Sequence, residues 1–152
     1  MQARLNWTQA APDAYKAMSA LSNFSGNTGL EKSLLELVKI RASQINGCAF
    51  CLAMHTRDAR AQGESEERIY LLDAWRESPG FSERERAALA WTEAMTRLGP
   101  EGVPDEVFET ARAQFSEAEL ANLSIAVVVI NSWNRLQIAF RVPPAVKSVK
   151  AA

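Results

Sequence analysis

The stretch from Glu36 to His55 reads ELVKIRASQINGCAFCLAMH, and its reading decides the fold. It holds both cysteines of the chain, Cys48 and Cys51, and the only histidine, His55. Leu30, Leu34, Leu37, Val38 and Ile45 recur at helical spacing and stop at Gly47, a residue suited to the left-handed position that ends a helix. The run from Cys48 to Gln62 reads as a second helix, closed by Gly63 in the same way. So short a break at Asn46-Gly47 makes the pair an antiparallel helical hairpin.

Working outward, residues 1–11 read as an N-terminal arm. A helix entered at Pro12 follows, with Tyr15, Met18, Leu21 and Phe24 toward one side, and Ser22–Gly29 reads as a loop. Beyond the hairpin, Ser65 with Glu66 and Glu67 opens a helix that turns Ile69, Leu72 and Trp75 inward. Ser82-Glu83-Arg84-Glu85 and Ser116-Glu117-Ala118-Glu119 are capping boxes that start helices to Leu98 and to about Phe140. Between them, Pro104-Asp105 opens a helix carrying Val107, Phe108, Ala111 and Phe115. Glu83–Arg86 reads as a solvated first turn. Pro143-Pro144 then bars further helix, and 142–152 reads as a tail.

The β-branched run Ile125–Ile130 is the one rival strand. Helix is preferred, because capped turns precede it and polar Asn122, Asn131 and Asn134 recur around it. The expectation is an all-α fold: one domain over 12–141, of about six or seven helices, organised on the central hairpin.

Composition sets the outer limits. The 152 residues suffice for one domain with a core, and 47% hydrophobic with 23% charged residues is ordinary for a soluble globular protein. A net charge of −1 offers no basic surface for nucleic acid. No apolar run approaches the roughly 20 residues that span a bilayer. Nor does the start of the chain resemble a signal peptide, so a cytoplasmic address without nucleic-acid or membrane partners is expected. In a reducing compartment two cysteines are more often catalytic or metal-binding than structural.

Cys48, Cys51 and His55 are spaced i, i+3, i+7 and share one stripe of a helix. Folding the hairpin at Asn46-Gly47 brings Glu36 level with the His55–Asp58 turn, so a carboxylate, an imidazole and two sulfurs converge. Four readings of the sulfurs stand. They are core packing alone, a zinc site short of its usual four N/S ligands unless Glu36, water or a second subunit completes it, a c-type haem, and a thiol redox centre. Leu52 stands where haem attachment requires His after the second Cys. The redox centre needs two close sulfurs and a group that handles protons, and this stretch supplies both. Trp75 and Trp91 read as packing.

Glu36, eleven residues, Cys48-x-x-Cys51, three residues and His55 together resemble the signature of the AhpD-like alkylhydroperoxidases, within the carboxymuconolactone decarboxylase family. The resemblance continues through Ile45–Cys48, His55-Thr56-Arg57, Leu72–Arg76 and Phe81–Glu93, and covers roughly residues 30–100. It implies an AhpD-like helical fold, a trimeric or hexameric homo-oligomer, and an antioxidant enzyme that reduces hydroperoxides through a disulfide-forming Cys pair with no bound cofactor or metal. The reductant it implies is a lipoamide-type dithiol or a partner such as a peroxiredoxin or lipoyl protein. By position, Cys51 resembles the peroxidatic thiol, Cys48 the resolving thiol, and His55 with Glu36 the proton relay. The signature has a second His between its cysteines where this chain has Phe50, so the proton path here is shorter or uses water. The alternatives are a redox-sensing or zinc-stabilised oligomer without turnover, and a decarboxylase-type lactone enzyme, which works without the Cys pair.

Lowering a thiol pKa from about 8.5 to about 6.5 raises the thiolate at pH 7 about 25-fold, but lost nucleophilicity cancels about 8-fold of it. Such a site must therefore act mainly by positioning and by protonating the leaving oxygen.

Overall fold

The computed structural model describes residues 2–146. They form eight α-helices and no β-strand, as expected of an all-α chain: α1 Trp7–Ala10, α2 Pro12–Ser25, α3 Lys32–Asn46, α4 Ala49–Ala61, α5 Glu66–Leu71, α6 Glu83–Thr96, α7 Asp105–Gln114 and α8 Glu117–Ala139. A 3-10 turn over Leu72–Ala74 continues α5. The count exceeds the six or seven expected because a short helix lies inside the arm. α2 also runs to Ser25, through part of the stretch read as loop. Lys147–Ala152 of the expected tail lie outside the described residues.

The hairpin forms for the reason its glycine gives. Gly47 adopts φ 68°, its N–H reaches Gln44 O at 3.2 Å, and the Cys48 N–H reaches Ser43 O at 3.0 Å. That pairing is a Schellman turn, which satisfies the last carbonyls of α3 and makes the next residue the N-cap of α4. Both expected capping boxes are present, at Ser82/Glu85 and Ser116/Glu119.

α3 is the central helix, packed against α4, α6 and α8. One side of it joins Trp91, Phe115, Leu123 and Val127 in the larger core, and the other joins Leu72, Trp75, Phe81 and Leu89. Ile125–Ile130 is helical as preferred: Ala126, Val127, Val129 and Ile130 are buried, while Ile125 and Val128 face out. No single helix among the described residues is long and apolar enough to cross a membrane.

Tyr15, Leu21 and Phe24 on α2 remain substantially exposed. One expectation fails, because the Glu83–Arg86 charges are not a free solvated turn. Arg84 ties Glu31 of the α2–α3 connection to Glu119 of α8, at 2.9 and 2.7 Å, and Arg86 donates to the carbonyls of Trp75, Arg76 and Ser78.

The arm is docked. The Arg4 N–H and guanidinium donate to Phe140 O (2.9 Å) and Ala139 O (3.2 Å), placing a cation on the otherwise unmet carbonyls that end α8. Trp7 is thereby buried against Tyr15 and Trp133, with ring centroids 5.8 and 5.6 Å away.

Candidate active site

Glu36, on α3, is buried, and its two carboxylate oxygens have separate partners. Oε2 lies 2.8 Å from His55 Nδ1 on α4, and Oε1 accepts from Lys39 Nζ at 2.7 Å. Burial pushes this carboxyl up, but the contacts with His55 and Lys39 outweigh it and hold the group below the ordinary carboxylate range. A carboxylate facing Nδ1 selects the tautomer with its proton there and leaves Nε2 as the basic nitrogen. Lys39 is thus a member of the site that spacing alone leaves as one of two partners for Glu36. The other, Arg41, faces away, pairing with Glu93 at 2.7 Å and with Asp73.

Cys48 and Cys51 are buried free thiols in a small core with Ala42 and Ile130, against which Phe50 and Trp133 pack. Their environments split them. The Cys48 thiol is lowered to about 7, chiefly because the Cys51 S–H donates to its sulfur. Burial opposes this, and the Cys51 and Phe50 backbone N–H groups and the Asn134 carboxamide assist it. As N-cap of α4, Cys48 lies where free N–H groups and the helix dipole favour a negative sulfur. Cys51 is pushed up, by donating to Cys48, by burial and by the charge on its neighbour.

Asn134 is the neighbour of both sulfurs that motif spacing misses. It is fully buried on α8, favours the ionised form of both sulfurs, accepts from Asn46 Nδ2 at 2.9 Å and donates to Ser43 Oγ at 3.0 Å. Its signal in the sequence is an amide set in the apolar run of α8.

The two sulfurs line different cavities. Cys51, Met54 and His55 border one of about 580 Å³, walled by Trp7, Tyr15, Trp133, Val129 and Ile130. Cys48 borders a second of about 450 Å³, with Gly47, Ala49 and Arg141. Phe50 and Gln137 line both, so the residue in place of the signature's second His stands between the two openings. Leu5 from the arm adds to the Cys51 side, and Val142 and Pro143 from the stretch after α8 line both cavities.

Glu36, His55 and Asp58 offer ligand atoms within 4.8 Å of one another, but the cysteines are not in that group and both Glu36 oxygens are already engaged.

A model of the carboxymuconolactone decarboxylase family matches residues 12–94. The chain is 41% identical to the uncharacterized protein YdfG of Bacillus subtilis over 139 residues, 91% of this chain and 95% of that protein. It superposes with a TM-score of 0.93 and 45% identity on the crystal structure of a protein of unknown function from Agrobacterium tumefaciens, a candidate AhpD antioxidant defence protein. That match covers 96% of this chain and all of the other. A shorter match, 46% identical over 44 residues, joins it to the alkyl hydroperoxide reductase AhpD of Bradyrhizobium diazoefficiens, over 29% of this chain and 24% of that protein.

Proposed function

The chain belongs to the carboxymuconolactone decarboxylase family, as an AhpD-like member, and from that premise we propose that it is a thiol-dependent hydroperoxide reductase. The observation that carries this reading is one cavity wall holding Cys51 and His55 together, with Glu36 fixed on the far nitrogen of the imidazole at 2.8 Å. A thiol raised as Cys51 is needs a base, and His55, one helical turn further along α4, lines the same cavity.

In this mechanism His55 takes the Cys51 proton and the thiolate attacks the terminal oxygen of ROOH. The S–O bond forms as the O–O bond breaks, and His55 returns the proton to RO⁻, giving ROH and a Cys51 sulfenic acid. Cys48, as the thiolate at the N-cap of α4, attacks the Cys51 sulfur. A disulfide forms and hydroxide leaves, to be protonated to water by solvent. An external dithiol of the lipoamide type, or a partner carrying such a thiol pair (a peroxiredoxin or lipoyl protein), supplies two electrons and two protons to reopen the disulfide, approaching on the Cys48 side. Exposed Leu21, Phe24, Ile125, Val128 and Ile138 favour a homo-oligomer, trimeric or hexameric by the family resemblance.

The opposite ionisation of the sulfurs favours a second reading, in which Cys48 is the attacking thiolate of a dithiol–disulfide exchanger. Trapping the sulfenic acid with dimedone after one equivalent of cumene hydroperoxide decides. A label on Cys51 in Cys48→Ser, with dithiol-dependent turnover abolished in Cys51→Ser, supports the peroxidase. A label on Cys48 in Cys51→Ser and none on Cys51 would make Cys48 the peroxidatic thiol, and no label on either sulfur with exchange between external dithiols and disulfides intact would support the exchanger. Oxidation without turnover would indicate a sensor, and activity on a lactone acid surviving loss of both cysteines would indicate the decarboxylase type.

A further inference from the structure

We propose that Lys39 is a positioning residue of the Glu36–His55 pair: by occupying one oxygen of the carboxylate, its ammonium limits how tightly the other oxygen holds the imidazole proton. Where that proton goes next rests on the function proposed above; the sharing of the carboxylate does not.

The contact is not an ordinary surface ion pair. Residues three apart on a helix share a face, and exposed pairs at that spacing contribute little. Here the Glu36 side chain is 8% exposed and that of Lys39 21%, with Nζ 2.7 Å from Oε1. The His55 side chain, 10% exposed, has Nδ1 2.8 Å from Oε2. Lys39 and His55 both line the Cys51 cavity. One buried carboxylate thus stands between an ammonium and an imidazole, each on its own oxygen.

Charge decides what this arrangement does. Asp58 of α4 offers a carboxylate oxygen within 4.8 Å of the Glu36 and His55 ligand atoms, and it has its own counter-ion in Arg57 at 2.9 Å. Glu36 has Lys39. With both carboxylates balanced, an imidazolium forming at His55 meets a like charge across Glu36, which disfavours it. Without the ammonium, Glu36 and the imidazolium would be left as an ion pair in a site nearly closed to water, where the attraction is strong. A base of this kind works best when it gives its proton up as readily as it takes it. In the proposed cycle His55 does both, taking the proton of Cys51 and returning it to RO⁻. Lys39 transfers no proton and forms no bond in that cycle; it loosens the grip of Glu36.

The test uses the reduced full chain, ¹⁵N-labelled, in which His55 is the single histidine and gives one set of ring signals. In Lys39→Met the Nδ1–H proton should move downfield as its bond to Glu36 tightens, and in Lys39→Arg it should stay near the wild-type position. Single-turnover reduction of cumene hydroperoxide should slow about 10-fold in Lys39→Met, the equivalent of about one unit of basicity, and recover in Lys39→Arg. Alkylation of Cys51 by iodoacetamide in a Cys48→Ser background needs no returned proton and should not slow. The proposal is overturned by an unmoved Nδ1–H signal in Lys39→Met, by a Lys39→Arg variant that behaves like Lys39→Met, by unchanged peroxide reduction, or by alkylation falling in step with it. If the wild type reduces no peroxide, the function proposed above fails, and the Nδ1–H signals of the two variants alone decide on Lys39. Should Lys39→Met fold poorly, Lys39→Gln removes the same charge and is read in its place.

Discussion

Cys48 and Cys51, one helical turn apart, are driven in opposite directions: the first thiol down to about 7, the second up, with the second donating to the first. The pair thus holds one proton near neutral pH and assigns it to the sulfur that faces the larger cavity.

Ultraviolet titration of the reduced protein near 240 nm should therefore show one thiolate appearing with a midpoint about 7, the other remaining protonated well past pH 9. Cys51→Ala removes the main donor to Cys48 and should move that midpoint up by about one unit or more, toward the free-thiol value near 8.5. The sign carries over to stability. Cys48 ionises lower in the folded chain than in the unfolded one, so its contribution is fully present above the unfolded value and fades as pH falls through about 7. Cys51 is raised, so its contribution holds below the unfolded value and is lost as pH rises above it. Denaturant melts of the reduced protein across pH 6–10 should show both trends.

For the relay, Glu36→Gln and His55→Ala should each lower peroxide turnover about 100-fold or more, the usual worth of a positioned acid–base group. Neither substitution should abolish the Cys48 titration. Glu36 is depressed in the folded state, so its contribution to stability exists above the ordinary carboxylate pKa and disappears as pH falls through the lowered one. Acid melts of Glu36→Gln should accordingly be flatter below about pH 4 than those of the wild type. Unchanged turnover in both variants would remove the relay from the mechanism.

Asn134→Leu keeps volume but strips the sulfurs of an amide and leaves Asn46 and Ser43 short of a partner. It should cost about 2 kcal/mol or more in chemical denaturation and raise the Cys48 midpoint. A purely structural asparagine would change the first reading and not the second.

Arg41 is a buried cation whose partners are Glu93, Asp73 and Gln44. Burial raises the Glu93 carboxyl, but donation from Trp75, Arg76 and Arg41 prevails and holds it low. Glu93→Ala takes from Arg41 its buried carboxylate and from the Trp75 N–H its acceptor, leaving Arg41 to Asp73 and Gln44, and should destabilise the fold by about 3 kcal/mol. The thiolate titration should stay in place, since the network lies on the other side of α3.

That network draws on Leu72–Arg76 and on Glu93, to which spacing gives no chemistry. Asp73 and Glu93 pair with one buried guanidinium, Trp75 and Arg76 meet it through Glu93, and only the folded chain brings them together. The hairpin was legible because its determinants are local: Gly47 at the turn, helical period on both sides, and Glu36 set to meet His55. The burial of Trp7 and the reach of Arg84 were not legible, because each depends on partners dozens of residues away. Asn134 falls between these cases. Its polar character within α8 was visible in the chain order, but its nearness to the sulfurs came only with the packing of α8 on the hairpin.

The sulfurs and the relay all come from the twenty-residue run Glu36–His55, whereas the cavity wall draws on the arm, α2 and the far end of α8. Most of the chamber is thus built by segments other than the one that carries the reacting groups, with Phe50 and Met54 belonging to both. A change at Trp7 or Tyr15 recuts the keyhole and leaves the bolt where it is.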